Sequence, residues 1–286
     1  MTSRFLTQVD TSIFPSATGL VIAGFRWLEY TGLLWFIGVL VVRRLAANQT
    51  TLSWARVPMH PALAVALVGG VATLAIPTVS SGSADAATMY LFGAPYGWVR
   101  AGRVIAEGLA LGMCLRGIRF VAVPGLLAAA LLPFAGHAAS VQPPFAGIAV
   151  DMIHVGSAGM WAGGIVALAT LTPPVGWRGG EGRALLDRFS RVAPLAFAIT
   201  ALTGVLRATE ELSAVSDLWS TPYGAVLSVK TGGVLLMLAL SWLAWRRGLP
   251  LARLEAAIAL LVIAATALLA AYPVTPGEAT WIVRLI

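Results

Sequence analysis

Charge is scarce in this sequence: 11% of its 286 residues are Asp, Glu, Lys or Arg, and 58% are hydrophobic. An ordinary soluble domain carries roughly 25% charged residues, so the composition excludes a soluble globular chain. The apolar residues come in pieces of about 20, the length that crosses roughly 30 Å of hydrocarbon as a helix. They recur from end to end and leave no room for a separate soluble domain. Cysteine occurs once, at Cys114, which excludes an intramolecular disulfide and any cysteine cluster for zinc or iron–sulfur. Lysine also occurs once, at Lys230, beside 18 arginines. There is no ATP-binding motif, so active transport by this chain needs a gradient or a partner. The stretch MTSRFLTQVDTSIFPSATG lacks the basic, apolar and small-residue succession of a cleaved signal peptide, and the first span is expected to be retained.

What is present reads as an all-α polytopic membrane protein of about eight spans, at roughly 20–42, 61–79, 97–115, 120–138, 148–171, 189–207, 223–245 and 251–272. The arginines sort by connection. Arg43, Arg44 and Arg56 follow span 1, and Arg116 and Arg119 follow span 3. Arg178, Arg183, Arg188 and Arg191 surround the loop from span 5 to span 6, and Arg246, Arg247 and Arg253 the loop from span 7 to span 8. The alternate connections hold only Arg4, Arg207 and Arg284. By the positive-inside rule, the arginine-rich loops are cytoplasmic and both termini lie outside. The net charge of +7 is then topology, and nucleic acid drops out as a partner.

An internal match points to duplication. GLLWFIGVLV (32–41) aligns with AGMWAGGIVA (158–167), and PYGWVRAGR (95–103) with PYGAVLSVK (222–230), at offsets of 126 and 127 residues. The chain is therefore expected to form two parallel four-helix halves, 1–145 and 146–286, related about an axis along the membrane normal.

Seven charged residues and one histidine fall inside the odd-numbered spans: Arg26, Glu29, Arg100, Arg103, Glu107, Asp151, His154 and Lys230. All are expected in the outer half of the bilayer, within roughly 15 Å of the helix ends at 1.5 Å per residue. Each unpaired charge at a helix centre costs about 2.5 to 3.5 kcal/mol, so these must pair or face water. Arg26 and Glu29, Arg103 and Glu107, and Asp151 and His154 are spaced three or four apart, each pair on one helical face. An ion-pair lattice tying helices together explains the first two pairs without a ligand. Asp151 is expected to accept one ring N–H of His154 and leave the other nitrogen to bind something.

His137, in PFAGHAAS, is expected at the same outer surface. His60 is expected at the cytoplasmic side. On the wheel of span 5, Gly156, Gly159 and Gly163 share a face suited to close helix approach, while Asp151, His154, Ala158 and Trp161 share another, expected to line a cavity. Met152 and Met160 flank that face. Thioether favours Cu(I), whereas imidazole and carboxylate suit Cu(II) and other metals. The methionines have no MxM or MxxxM spacing.

Five stretches together resemble the copper resistance D (CopD) family of inner-membrane proteins: GHAAS (136–140), HVGSAGMWAGG (154–164), DRFSRVAPLAFAITALTG (187–204), STPYGAVLSVKTGGVLLMLAL (220–240) and LEAAIALLVIAATALLAAYP (254–273). The resemblance covers the second half well and the first half loosely. It implies a copper homeostasis protein that moves or accepts copper at its periplasmic face, beside a separate periplasmic copper-binding partner of the CopC type. It also implies His137 and His154 as ligands, with Asp151 behind them and Met152 adjacent. No catalytic residues are implied. A second reading stays open. Arg26, Arg100, Arg103 and Lys230 outnumber Glu29, Glu107 and Asp151 by one. Such a layer suits an anionic group such as haem propionates, a quinone head group or membrane lipid phosphates, with two histidines able to ligate haem b in an oxidoreductase or assembly factor.

Overall fold

A computed structural model describes residues 14–93, 97–135, 144–212, 214–247 and 251–272. Its eight principal helical segments are α1 (Ala17–Ala46), α2 (His60–Ser80), α3 (Gly97–Leu115), α4 (Ala122–Leu131), α5 (Pro144–Ala158), α6 (Gly180–Glu211), α7 (Pro222–Arg247) and α8 (Ala252–Leu269). A 3-10 turn, Leu132–Ala135, extends α4. The α5 helix loosens into a π-helical turn at Gly159–Gly163 and resumes over Gly164–Ala169. No strand occurs among the described residues. The fold is all-α and polytopic.

Six of these segments are long and apolar enough to cross a membrane. Two of the expected eight spans fall short for different reasons. The α3 helix has 19 residues but carries Arg100, Arg103 and Glu107, and the apolar stretch of α4 runs only over Ala122–Ala135. The expected continuation of α4 to 138, with His137, lies outside the described residues.

Local chemistry sets several ends. Ser16 caps α1, its hydroxyl accepting the Gly19 N–H at 3.1 Å. Gly117 ends α3 with φ of 68°, a left-handed conformation that glycine adopts without a Cβ penalty. The Ile118 N–H then donates to the Met113 carbonyl at 3.0 Å and the Gly117 N–H to the Cys114 carbonyl at 3.1 Å. These two bonds close a Schellman turn over carbonyls that would otherwise be orphaned.

The α1 helix packs against α2, α5 and α8, and small residues make that possible. A Cβ on Gly32 would lie 2.3 Å from the Ala66 nitrogen, and one on Gly69 2.3 Å from the Glu29 nitrogen, so α1 and α2 touch backbone to backbone. On its other side, a Cβ on Gly38 would come within 2.0 Å of the Gly163 carbonyl carbon, and one on Gly163 within 1.9 Å of the Leu34 carbonyl oxygen. In lipid, where apolar burial does not drive helices together, such close approach supplies the dispersion contacts. Of the expected glycine face, Gly159 meets Ile37 and Gly163 meets α1, but Gly156 faces open space. The π turn starts between them, and its extra residue changes the register of the face.

The two described chain ends share one end of the bundle. The Phe14 ring meets Tyr272 edge-on at 6.0 Å, and an Arg26 N–H donates to the Ala270 carbonyl. At the other end, Arg188 donates to the Leu45 carbonyl at 3.1 Å.

Candidate functional site

The polar residues inside the helices form two networks, each within about three turns of the end that holds Phe14 and Tyr272. The first belongs to α1, α2 and α3. Arg103 Nε sits 2.6 Å from Glu29 Oε1, and Glu107 lies beside them against Gly70. Glu29 and Glu107 are fully buried and Arg103 nearly so. The other cations of this region have their own acceptors: Arg26 bonds the Ala270 carbonyl, and Arg100 donates to the Tyr90 hydroxyl at 2.7 Å with its guanidinium 5.7 Å from the ring centroid. The expected pairings within α1 and within α3 are thus replaced by a pairing between helices, because Gly69 and Gly70 let α2 sink close enough to bring Glu29 and Glu107 together.

The second network joins α5, α6 and α7. Along α6, Phe197, Thr200, Thr203, Gly204, Arg207 and Glu211 recur at helical spacing and form one stripe, and α5 lies against it. Trp161 meets Phe197 edge-on at 4.9 Å. His154 Nδ1 lies 3.1 Å from the Thr200 carbonyl oxygen and 3.0 Å from Thr203 Oγ1, and the ring packs over Gly204. A carbonyl can only accept, so Nδ1 carries the proton and donates. The Thr203 hydroxyl has carbonyl acceptors of its own, at Ile199 (2.7 Å) and Thr200 (3.1 Å). Nε2 therefore keeps its lone pair, the arrangement that orients an imidazole for a metal.

Here the structure departs from the expected Asp151–His154 pair. Asp151 Oδ1 faces Arg207 Nε at 4.0 Å, and Arg207 also bonds Glu211 at 2.9 Å. The Tyr223 hydroxyl donates to Glu211. Lys230 of α7 lies within electrostatic range of Glu211 and Asp151 and of His154. Asp151 turns to Arg207 because a guanidinium is a stronger partner for a carboxylate than a neutral imidazole is. The expected cavity beside His154 is filled by the α6 stripe. Tyr30 lies within electrostatic range of Arg26, Glu29 and Arg103 and, more weakly, of Asp151.

Met152 is 38% exposed and lies two residues from His154, so it points to the other side of α5. His137 lies outside the described residues, and among the described residues no group of three His, Cys, Asp or Glu side chains converges as a metal cage. Arg207, Glu211, Thr200, Thr203 and Tyr223 were not among the expected site residues. Arg207 had been assigned to an outer connection, yet α6 continues to Glu211. The i, i+4 spacing of Arg207 and Glu211 and the two threonines in an apolar run were the signals present in the sequence.

Fold and site define a polytopic membrane protein with two buried charged networks at one end. Residues 183–271 match the family described as Copper resistance protein D. That segment holds nearly all of α6 with α7, α8 and the α6 and α7 members of the second network, so this part of the chain is similar to the CopD family. Over 110 residues, 37% of the chain, it is 36% identical to the Copper transport protein CutJ of Bacillus subtilis (strain 168). The aligned stretch spans only about a fifth, 20%, of the length of that curated relative. No solved structure matches.

Proposed function

We propose that this protein moves or accepts copper at the periplasmic face of the bacterial inner membrane, with Nε2 of His154 as a copper ligand. The observation that carries the reading is the bond from Nδ1 of His154 to the Thr200 carbonyl, which leaves Nε2 as a lone-pair donor held against residues of the CopD match. The relative's printed name, Copper transport protein, supports copper as the substrate. His137 is proposed as a second ligand. Asp151 acts at one remove by holding Arg207, and with it the α5–α6 contact, in place. Met152 has a lesser part, since it sits on the outward side of α5.

The arginine-rich connections favour both termini outside, and the shared end of Phe14 and Tyr272 supports an even number of crossings. Two parallel four-helix halves are proposed from the internal sequence match. In support, Gly38 contacts Gly163 and Gly164, the last being its repeat-aligned counterpart, as expected near an axis between halves. Arg103 and Lys230 are aligned as well, each within electrostatic range of carboxylates in its own half. A separate periplasmic copper donor of the CopC type is the proposed partner.

Copper loading tests the site. Purified wild type should retain copper that His154→Ala loses, by metal analysis after desalting. Equal copper in the two would remove His154 from the site. A visible spectrum of the same sample separates the haem reading, because a Soret band lost with His154→Ala would assign this histidine to haem b instead.

A further inference from the structure

Among the described residues the second network sets Arg207 and Lys230 against Asp151 and Glu211. In the first, Glu29 and Glu107 are both fully buried, and among the described residues the cation in contact with them is Arg103, at 2.6 Å from Glu29 Oε1. On α1, Arg26 is turned to the Ala270 carbonyl and Tyr30 is neutral. The α2 helix brings Gly69, Gly70 and Thr73, and its sequence from Pro61 to Ser80 contains no charge. On α3, Arg100 is turned to Tyr90.

Glu107 is left with both carboxyl oxygens buried and without a hydrogen-bond donor, as is Glu29 Oε2. The two carboxyls are close, since the place of a Cβ on Gly70 lies 2.3 Å from Glu107 Oε2 and 3.2 Å from Glu29 Oε1. Two carboxylates this near cannot both ionise in a dry interior beside a single guanidinium. What is missing is one positive charge that bridges two oxygens.

We propose that Glu29 and Glu107 hold one exchangeable proton between them, which makes this network a proton-binding site on helices other than the one that carries His154. A metal cation fits less well. Sodium or calcium needs five or more oxygens, but Arg103 occupies one of the four here, and the nearby Thr73 hydroxyl is spent on the Gly70 carbonyl at 2.9 Å. A proton needs only one donor oxygen and one acceptor oxygen. On release, the carboxylic acid becomes a carboxylate and the proton passes to water, with no change of oxidation state. Use of the proton to drive copper movement rests on the proposed function, whereas the site itself does not.

Infrared difference spectroscopy on the full chain in lipid, in light and heavy water, reads the site without copper. Wild type at neutral pH should show a carboxylic-acid carbonyl band that shifts in heavy water. Glu107→Gln and Glu29→Gln should each abolish it, because the remaining carboxylate then pairs with Arg103. Arg103→Gln should double it. Glu255, also buried, accepts from the Ser241 hydroxyl at 2.6 Å, and Glu255→Gln removes any band of its own. Absence of the band in wild type, or its survival in both glutamate variants, would overturn the proposal. Copper loading of the same samples fails or succeeds separately, so a lost copper reading leaves the infrared result intact.

Discussion

His154 and Thr200 are joined across the α5–α6 contact by a hydrogen bond from Nδ1 to a main-chain carbonyl at 3.1 Å. A backbone acceptor cannot rotate away or change its charge, so the tautomer of His154 is set by the fold itself. Thr203 Oγ1 at 3.0 Å is the second acceptor and the one that mutation can remove.

Thr203→Val should therefore weaken copper binding by about tenfold, the lower end of the 10 to 100-fold typical when a partner behind a metal-binding histidine is lost. The Thr200 carbonyl keeps the ring roughly in place, so the protein should still insert and fold. Competition with a chelating dye measures the change, and undiminished affinity would show that Thr200 alone orients the ring.

The contact between Gly38 and Gly163 leaves no space for a methyl group. Gly38→Ala should lower stability by about 1 to 3 kcal/mol, the usual cost of overpacking, read as a fall in the thermal midpoint in detergent. Gly156→Ala meets nothing within 4 Å and should leave the midpoint unchanged or slightly higher. Equal behaviour of the two would mean that α1 and α5 are not in backbone contact.

Glu211 is held by Arg207 at 2.9 Å and by the Tyr223 hydroxyl. Glu211→Gln removes one of two negative charges that balance Arg207 and Lys230. It should cost about 2 kcal/mol, as charge-assisted hydrogen bonds do, and also reduce copper affinity by leaving the network at +1. Tyr223→Phe removes one hydrogen bond and no charge, so it should affect stability with little change in copper affinity. A titration of both variants checks that separation.

Cys114 is the single cysteine and lies near the end of α3, beside the Gly117 turn and Arg116. With the arginine-rich loops inside, it should react in intact cells with a membrane-permeant maleimide and resist an impermeant one. Labelling by the impermeant reagent would invert the proposed orientation.

The sequence was sufficient for the class and for the approximate positions of all eight helical segments, because the bilayer demands about 20 apolar residues per crossing and lipid leaves no other way to satisfy backbone groups than a helix. The sites of the buried charges were legible for the same reason: a charge in an apolar run is conspicuous. Their partners were not. Spacing within one helix pointed to Asp151 with His154 and to Arg103 with Glu107, but Asp151 faces Arg207 of α6 and Arg103 faces Glu29 of α1. Those choices depend on how closely helices approach, and that was decided by Gly69 and Gly70 against α1, by the π turn at Gly159–Gly163, and by the length of α6, which carries Arg207 and Glu211 into the network. Periodicity along a chain fixes which face a residue occupies; only the packing of one helix on another determines what that face meets.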